Sequence, residues 1–92
     1  MQLPFEMYQN YVVRRDEDYK ELVTALEKSD VSAFKKIGHQ IKGNASSFGF
    51  EDLAVIGNRM NKLEADQLAT EGASLLGEFK NWIDAKRKQY NV

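Results

Sequence analysis

The chain has a single histidine, His39, in the stretch His39-Gln40-Ile41-Lys42-Gly43-Asn44-Ala45-Ser46-Ser47-Phe48-Gly49-Phe50. A histidine nitrogen is a competent nucleophile near neutral pH, where much of a typical imidazole is unprotonated. Lys42, on the next turn of a helix, is placed to attract an anion carried by the ring. On a helical wheel Lys35, Lys42, Gly43 and Ser46 fall within roughly 60° of His39. Gly43 leaves a gap one turn beyond the ring, where a second surface can approach. Gln40, beside His39, is a further candidate to bond a phosphoryl oxygen or a partner. The set reads as a site for a transferable phosphoryl group visited by another protein. A metal site is not expected, because no second histidine and no cysteine exists to share the ion. A hydrolytic triad fails as well: Ser46 lies two turns from His39, and no acid stands at helical spacing to orient the ring.

The element that positions these residues is a helix opening near Asp30 and closing at Gly49. Phe34, Ile37, Ile41, Ala45 and Phe48 recur at spacings of three and four and form its buried stripe. His39 faces away from that stripe, toward water. Asp30 has the chemistry of an N-cap, and Gly49 that of a residue that stops a helix in the left-handed conformation. Phe50 is expected to fold back on the helix end. Interior glycine costs about 1 kcal/mol relative to alanine, yet Gly38 and Gly43 flank the histidine. Gly38 lies nearer the buried side and suits close helix packing; Gly43 suits access.

His39-x-Ile41-Lys42-Gly43-Asn44-Ala45-x-x-Phe48-Gly49 resembles the signature of histidine-containing phosphotransfer (HPt) domains, among them the phosphoacceptor domain of chemotaxis histidine kinases. The resemblance implies a four-helix bundle whose histidine exchanges phosphate with the aspartate of response-regulator receiver domains. It also implies a residue on the following helix that holds the second ring nitrogen. Family members often carry Gln or Glu there, where this chain has Asn61, which is shorter and uncharged. Chemotaxis kinases carry a second histidine where this chain has Asn58. Both departures point toward a simple phosphate relay.

The rest of the chain supplies the bundle. Pro4 suits a first helical turn, and Phe5, Tyr8, Val12, Tyr19, Leu22, Val23 and Leu26 keep to one side of a wheel. The stripe lapses at Arg14-Arg15-Asp16-Glu17-Asp18, which reads as a solvated face. The wheel allows one long helix or a short one leading into a second; the resemblance favours the short leading helix. Lys28-Ser29-Asp30 ends this segment. Glu51 and Asp52 open a third segment with the stripe Leu53, Ile56, Met60 and Leu63. Asp66 to Thr70 reads as a turn, with Thr70 as the cap of a last helix bearing Leu75, Leu76, Phe79, Trp82, Ile83 and Tyr90. The fold expected is all-α: an antiparallel up-down four-helix bundle with a short extra N-terminal helix or helical extension. It is expected to form one domain over residues 1–92.

Composition narrows the function. A net charge of −1 gives no electrostatic case for nucleic acid. The chain has no apolar run near the ~18 residues that cross a membrane, and its first residues lack a signal-peptide pattern. A cytoplasmic, monomeric phosphocarrier is expected. Its partners would be a receiver domain and a histidine kinase, possible hybrids included. No nucleotide-binding motif is present, so no kinase activity of its own is expected. No cofactor is expected either; Mg2+ would be needed only by the receiver. The alternative is a helical adaptor that binds receivers or a kinase without carrying phosphate.

Overall fold

Aromatic residues gather at one end of the molecule and hold its termini together. Tyr8, Tyr11, Phe48, Phe50, Trp82 and Tyr90 form a chain of ring contacts with centroid separations from 4.3 Å (Tyr11–Phe48) to 6.4 Å (Phe50–Tyr90). They come from the first and last of four helices and from the connection between the middle two, in a computed structural model describing residues 3–92; the first two residues of the expected domain lie outside it. The helices are α1 (Phe5–Glu27), α2 (Val31–Ser47), α3 (Glu51–Asn61) and α4 (Ala73–Tyr90). They make an elongated antiparallel bundle of 40 × 21 × 15 Å. The most extensive packing is between α2 and α3, which are consecutive, and then between α1 and α4, which close the bundle from the two ends of the chain. The centre of the core is apolar: Val12, Leu22, Phe34, Ile41, Leu53, Met60, Leu75, Phe79 and Ile83 are fully buried.

The leading segment is a single 23-residue helix, so the separate short helix expected at the N-terminus is absent. The reason lies in the charge run. Arg15, expected on a solvated face, is only 7% exposed. Its guanidinium carbon lies 4.4 Å from the Tyr11 ring centroid, and its Nε stands 2.8 Å from Asp18 Oδ2. A stacked and paired arginine thus continues the inward face where the apolar stripe lapses. Desolvation raises the Asp18 carboxyl above its usual range, although the Arg15 charge pulls the other way.

The second difference falls between α3 and α4. Thr70 caps nothing. The chain turns at Glu64, where a reciprocal capping box joins Glu64 and Gln67, with the Gln67 side chain accepting from the Glu64 N–H at 3.1 Å. A 3₁₀ turn (Ala65–Gln67) and a π-type turn (Leu68–Gly72) then run into α4 without a break. Arg59 crosses from α3 to this region, bonding Glu71 at 2.7 Å and both Glu78 carboxylate oxygens at 2.9 Å.

Candidate functional site

α2 is fixed at both ends, which sets the direction of every side chain on it. The Asp30 carboxylate accepts from the Ser32 hydroxyl at 2.6 Å and from the Ala33 N–H at 3.2 Å. These bonds, the Ser32 bond first, hold its carboxyl below the usual range. At the other end Gly49 takes φ +79°, a left-handed value that side chains disfavour. Phe50 N–H donates to Ala45 O at 2.9 Å and Gly49 N–H to Ser46 O at 3.0 Å, the paired bonds of a Schellman stop. Phe50 is buried in the aromatic cluster, as expected of a residue folding back on the helix end.

Between these ends the stripe is buried as its spacing requires. Phe34, Ile41 and Ala45 have no exposed surface, Ile37 almost none, and Phe48 is half-buried. The opposite face is open. His39, Gln40, Lys35, Lys42, Gly43 and Ser46 are all exposed. A methyl group added at Gly43 would meet nothing within 4 Å. Among the described residues Lys42 pairs with no carboxylate, so its ammonium is available to an incoming anion. The Ser46 hydroxyl donates to the Lys42 carbonyl at 3.3 Å, which commits its proton to the helix and leaves its oxygen as an acceptor.

The two flanks of this face differ. On one side α2 and α3 touch through backbone. A Cβ on Gly38 would stand 2.6 Å from Gly57 O, Asn61 N and Met60 Cβ; one on Gly57 would stand 2.7 Å from Lys42 N. Only residues without side chains permit that approach. Sequence reasoning assigned Gly38 to close packing but did not pick out Gly57, its counterpart across the seam. On the other side lies α1. The Tyr11 hydroxyl donates to Asn44 Oδ1 at 2.6 Å, anchoring α1 one residue from Gly43, and burial raises the Tyr11 phenol above its usual range. Gln40 faces this flank, where it lines a shallow depression with Glu21 and Lys36. It therefore stands across His39 from Lys42, and the structure does not bring the two together.

Asn61 is half-buried on α3, with its backbone against Gly38. Among the described residues its amide and the His39 ring make no hydrogen bond. An asparagine reaches one methylene less far from α3 than the glutamine or glutamate for which the resemblance provides. No group of three or more His, Cys, Asp or Glu side chains that could hold a metal is found among the described residues.

Fold and site together are an all-helical bundle presenting one exposed histidine, with an unpaired lysine a turn away and an open glycine nearby. The chain belongs to the histidine-containing phosphotransfer family: the model of the Hpt domain matches residues 6–89. No curated protein and no solved structure gives a significant match. Hpt domains are phosphocarriers that act with receiver domains and histidine kinases in phosphorelays. Among the described residues no helix is long and apolar enough to cross a membrane.

Proposed function

We propose that this domain carries a phosphoryl group on His39 and exchanges it with the aspartate of a receiver domain. The observation that supports this reading best is the pairing of exposed His39 with unpaired Lys42 on a helix fixed at both ends. In the transfer to this chain, the unprotonated ring nitrogen attacks phosphorus in line. The N–P bond forms as the P–O bond of the aspartyl phosphate breaks, and the electron pair of that bond stays with the departing carboxylate. The other ring nitrogen keeps its proton. Lys42 stabilises the phosphoryl oxygens while charge redistributes. Asn61, at the position where the resemblance implies a partner for the ring, is the candidate on α3 to accept the ring N–H; Lys35, Gln40 and Ser46 are secondary contacts for phosphate or partner. Mg2+ belongs to the acidic pocket of the receiver. The partner on the other side of the relay is a histidine kinase.

The experiment is incubation with a phosphorylated receiver. Acid-labile, base-stable phosphate is expected on the wild-type domain and none on His39→Gln, whose helicity and melting stay nearly unchanged because the residue is exposed. Wild-type labelling in the variant would refute the acceptor. Tight receiver binding with no labelling of the wild type would mark an adaptor instead.

A further inference from the structure

Beside the open flank of α2, between α1 and α2, lies a cavity of about 350 Å³. Its wall is apolar: Met7, an exposed methionine, stands with the rings of Tyr11 and Phe48. Its polar groups include Arg14, Arg15 and the Asn44 amide. Arg15 is the unusual member. It is almost wholly buried, and its Nε has no hydrogen-bond partner among the described residues. Asp18 Oδ2 stands 2.8 Å from that nitrogen and balances its charge, but out of line for a hydrogen bond. The guanidinium lies over the Tyr11 ring, which restricts its movement. A guanidinium offers five donors in a rigid fork and no acceptor. Asp18 meets it at Nε, which leaves the fork for an acceptor from outside. Arg14, the next residue, is exposed and pairs with no carboxylate among the described residues.

We propose that this cavity binds a small carboxylic acid, its carboxylate on Arg14 and Arg15 and its apolar body against Met7, Tyr11 and Phe48. A desolvated arginine fork matches a carboxylate bidentately. With Asp18 offsetting Arg15, the charge of Arg14 remains, which suits a monoanion better than a phosphate approaching two negative charges. The apolar wall gains only from a ligand that covers it. The volume is near the lower end of ligand sites, which span about 300–1,000 Å³, so a single ring with a short acidic arm fits better than a nucleotide. The Tyr11 hydroxyl donates to Asn44 Oδ1 at 2.6 Å, which turns the donors of the Asn44 amide elsewhere and leaves them to the ligand. Asn44 adjoins Gly43 in the chain. Granted the phosphocarrier reading, an occupant here covers ground beside the path of a receiver to His39, and so restrains transfer.

The test titrates phenylacetate into nitrogen-15-labelled protein. Saturable shifts are expected at the amides of Tyr11, Asn44 and Phe48, with millimolar affinity, the scale for a ligand of about ten heavy atoms at ordinary efficiency. Acetate lacks the ring and phenylacetamide lacks the charge; each should bind at least about tenfold more weakly, the worth of one charge-assisted hydrogen bond or of a ring's buried area. Arg14→Glu, which reverses an exposed charge, should weaken phenylacetate by a similar factor. Arg15→Lys, which keeps the charge and loses the fork, should do the same, and Arg14→Glu decides the matter if circular dichroism shows that Arg15→Lys does not fold. Shifts that do not saturate, shifts away from this cavity, or equal affinity for phenylacetamide would overturn the site.

With the cavity filled, transfer from a phosphorylated receiver should slow severalfold while phosphoramidate labels His39 at its usual rate. Unslowed transfer would overturn the restraining role. Slower receiver transfer in Arg14→Glu with no acid present would assign the arginines to a carboxylate of the receiver and overturn the small-molecule assignment. A wild type that neither donor labels would defeat the phosphocarrier reading and the restraining role with it, while the binding result stands on its own.

Discussion

His39 stands between two glycines that face opposite demands. Gly38 is buried against α3, and a methyl group there would overlap backbone at 2.6 Å; Gly43 is exposed, and the same methyl would meet open space. Both are helix-interior residues of the same type, five positions apart, and propensity alone would give them equal cost. The difference lies in what each omission makes possible. At Gly38 a missing side chain lets two helices touch, which makes α2 a rigid platform. At Gly43 it leaves room that the fold itself does not use. The same comparison separates stability from function around the site: the α3 flank holds the histidine in place, and the open flank is where another molecule can reach it.

The comparison breaks most severely at Gly38. Gly38→Val forces two extra methyls and a Cβ into backbone contact, and over-packing of this kind costs about 3 kcal/mol at the upper end of its usual range. For a domain this small that is a fall of roughly 12–24 °C in melting temperature. Circular dichroism should register it, and labelling of His39 should suffer with every donor. A melt within a degree or two of wild type would mean that the seam is looser than its geometry.

Lys42 sharpens the contrast, because its backbone lies at the closed seam and its ammonium on the open face. Lys42→Ala should leave melting nearly unchanged while slowing transfer by roughly 10- to 1,000-fold, the range for one lost electrostatic stabiliser. An unchanged single-turnover rate at saturating receiver would remove Lys42 from the mechanism.

The open flank gives the next effect. Gly43→Gln should fold normally, yet accept phosphate from a receiver on the order of 100-fold more slowly, the scale associated with misplacing a reacting partner by about 1 Å. Phosphoramidate, needing less room, should still label it. Equal failure with both donors would trace the defect to the histidine; equal success would defeat the access argument.

Gly43→Ala should show the smallest change. It gains up to about 1 kcal/mol of helix propensity with no contact made or lost in the free protein. Loss of stability on thermal melting would mean that the position is not open.

Much of this was readable from the chain because α2 carries its own punctuation. Asp30 and Gly49 bound it, and an apolar stripe sets its phase, so the outward direction of His39, Lys42 and Gly43 follows from spacing alone. What was hidden depends on pairs. Gly57 means nothing until it is seen opposite Gly38, and Asn58 reads as a flanking polar residue although its side-chain oxygen is buried. Arg15 reads as solvated because a charged residue breaks an apolar pattern; its ring and carboxylate partners restore the pattern only in three dimensions. The start of α4 was misread because glutamate is an uncommon N-cap, so Glu64 with Gln67 gave a weaker cue than Thr70. The reach of Asn61 depends on the distance between helices, which sequence spacing does not supply.

The brief connection Phe48-Gly49-Phe50 has a consequence in time as well as in space. It joins α2 to α3 with little loop to close, whereas α1 and α4 must bring together opposite ends of the chain. Loop-closure entropy grows with the logarithm of the enclosed length, and local contacts are the ones a chain finds soonest. The α2–α3 hairpin is therefore expected to nucleate folding, with α1 and α4 condensing on it afterwards. The seam at Gly38 and Gly57 would then form before the chain ends meet, and the surface bearing the histidine would be among the first parts of the molecule to acquire its native shape.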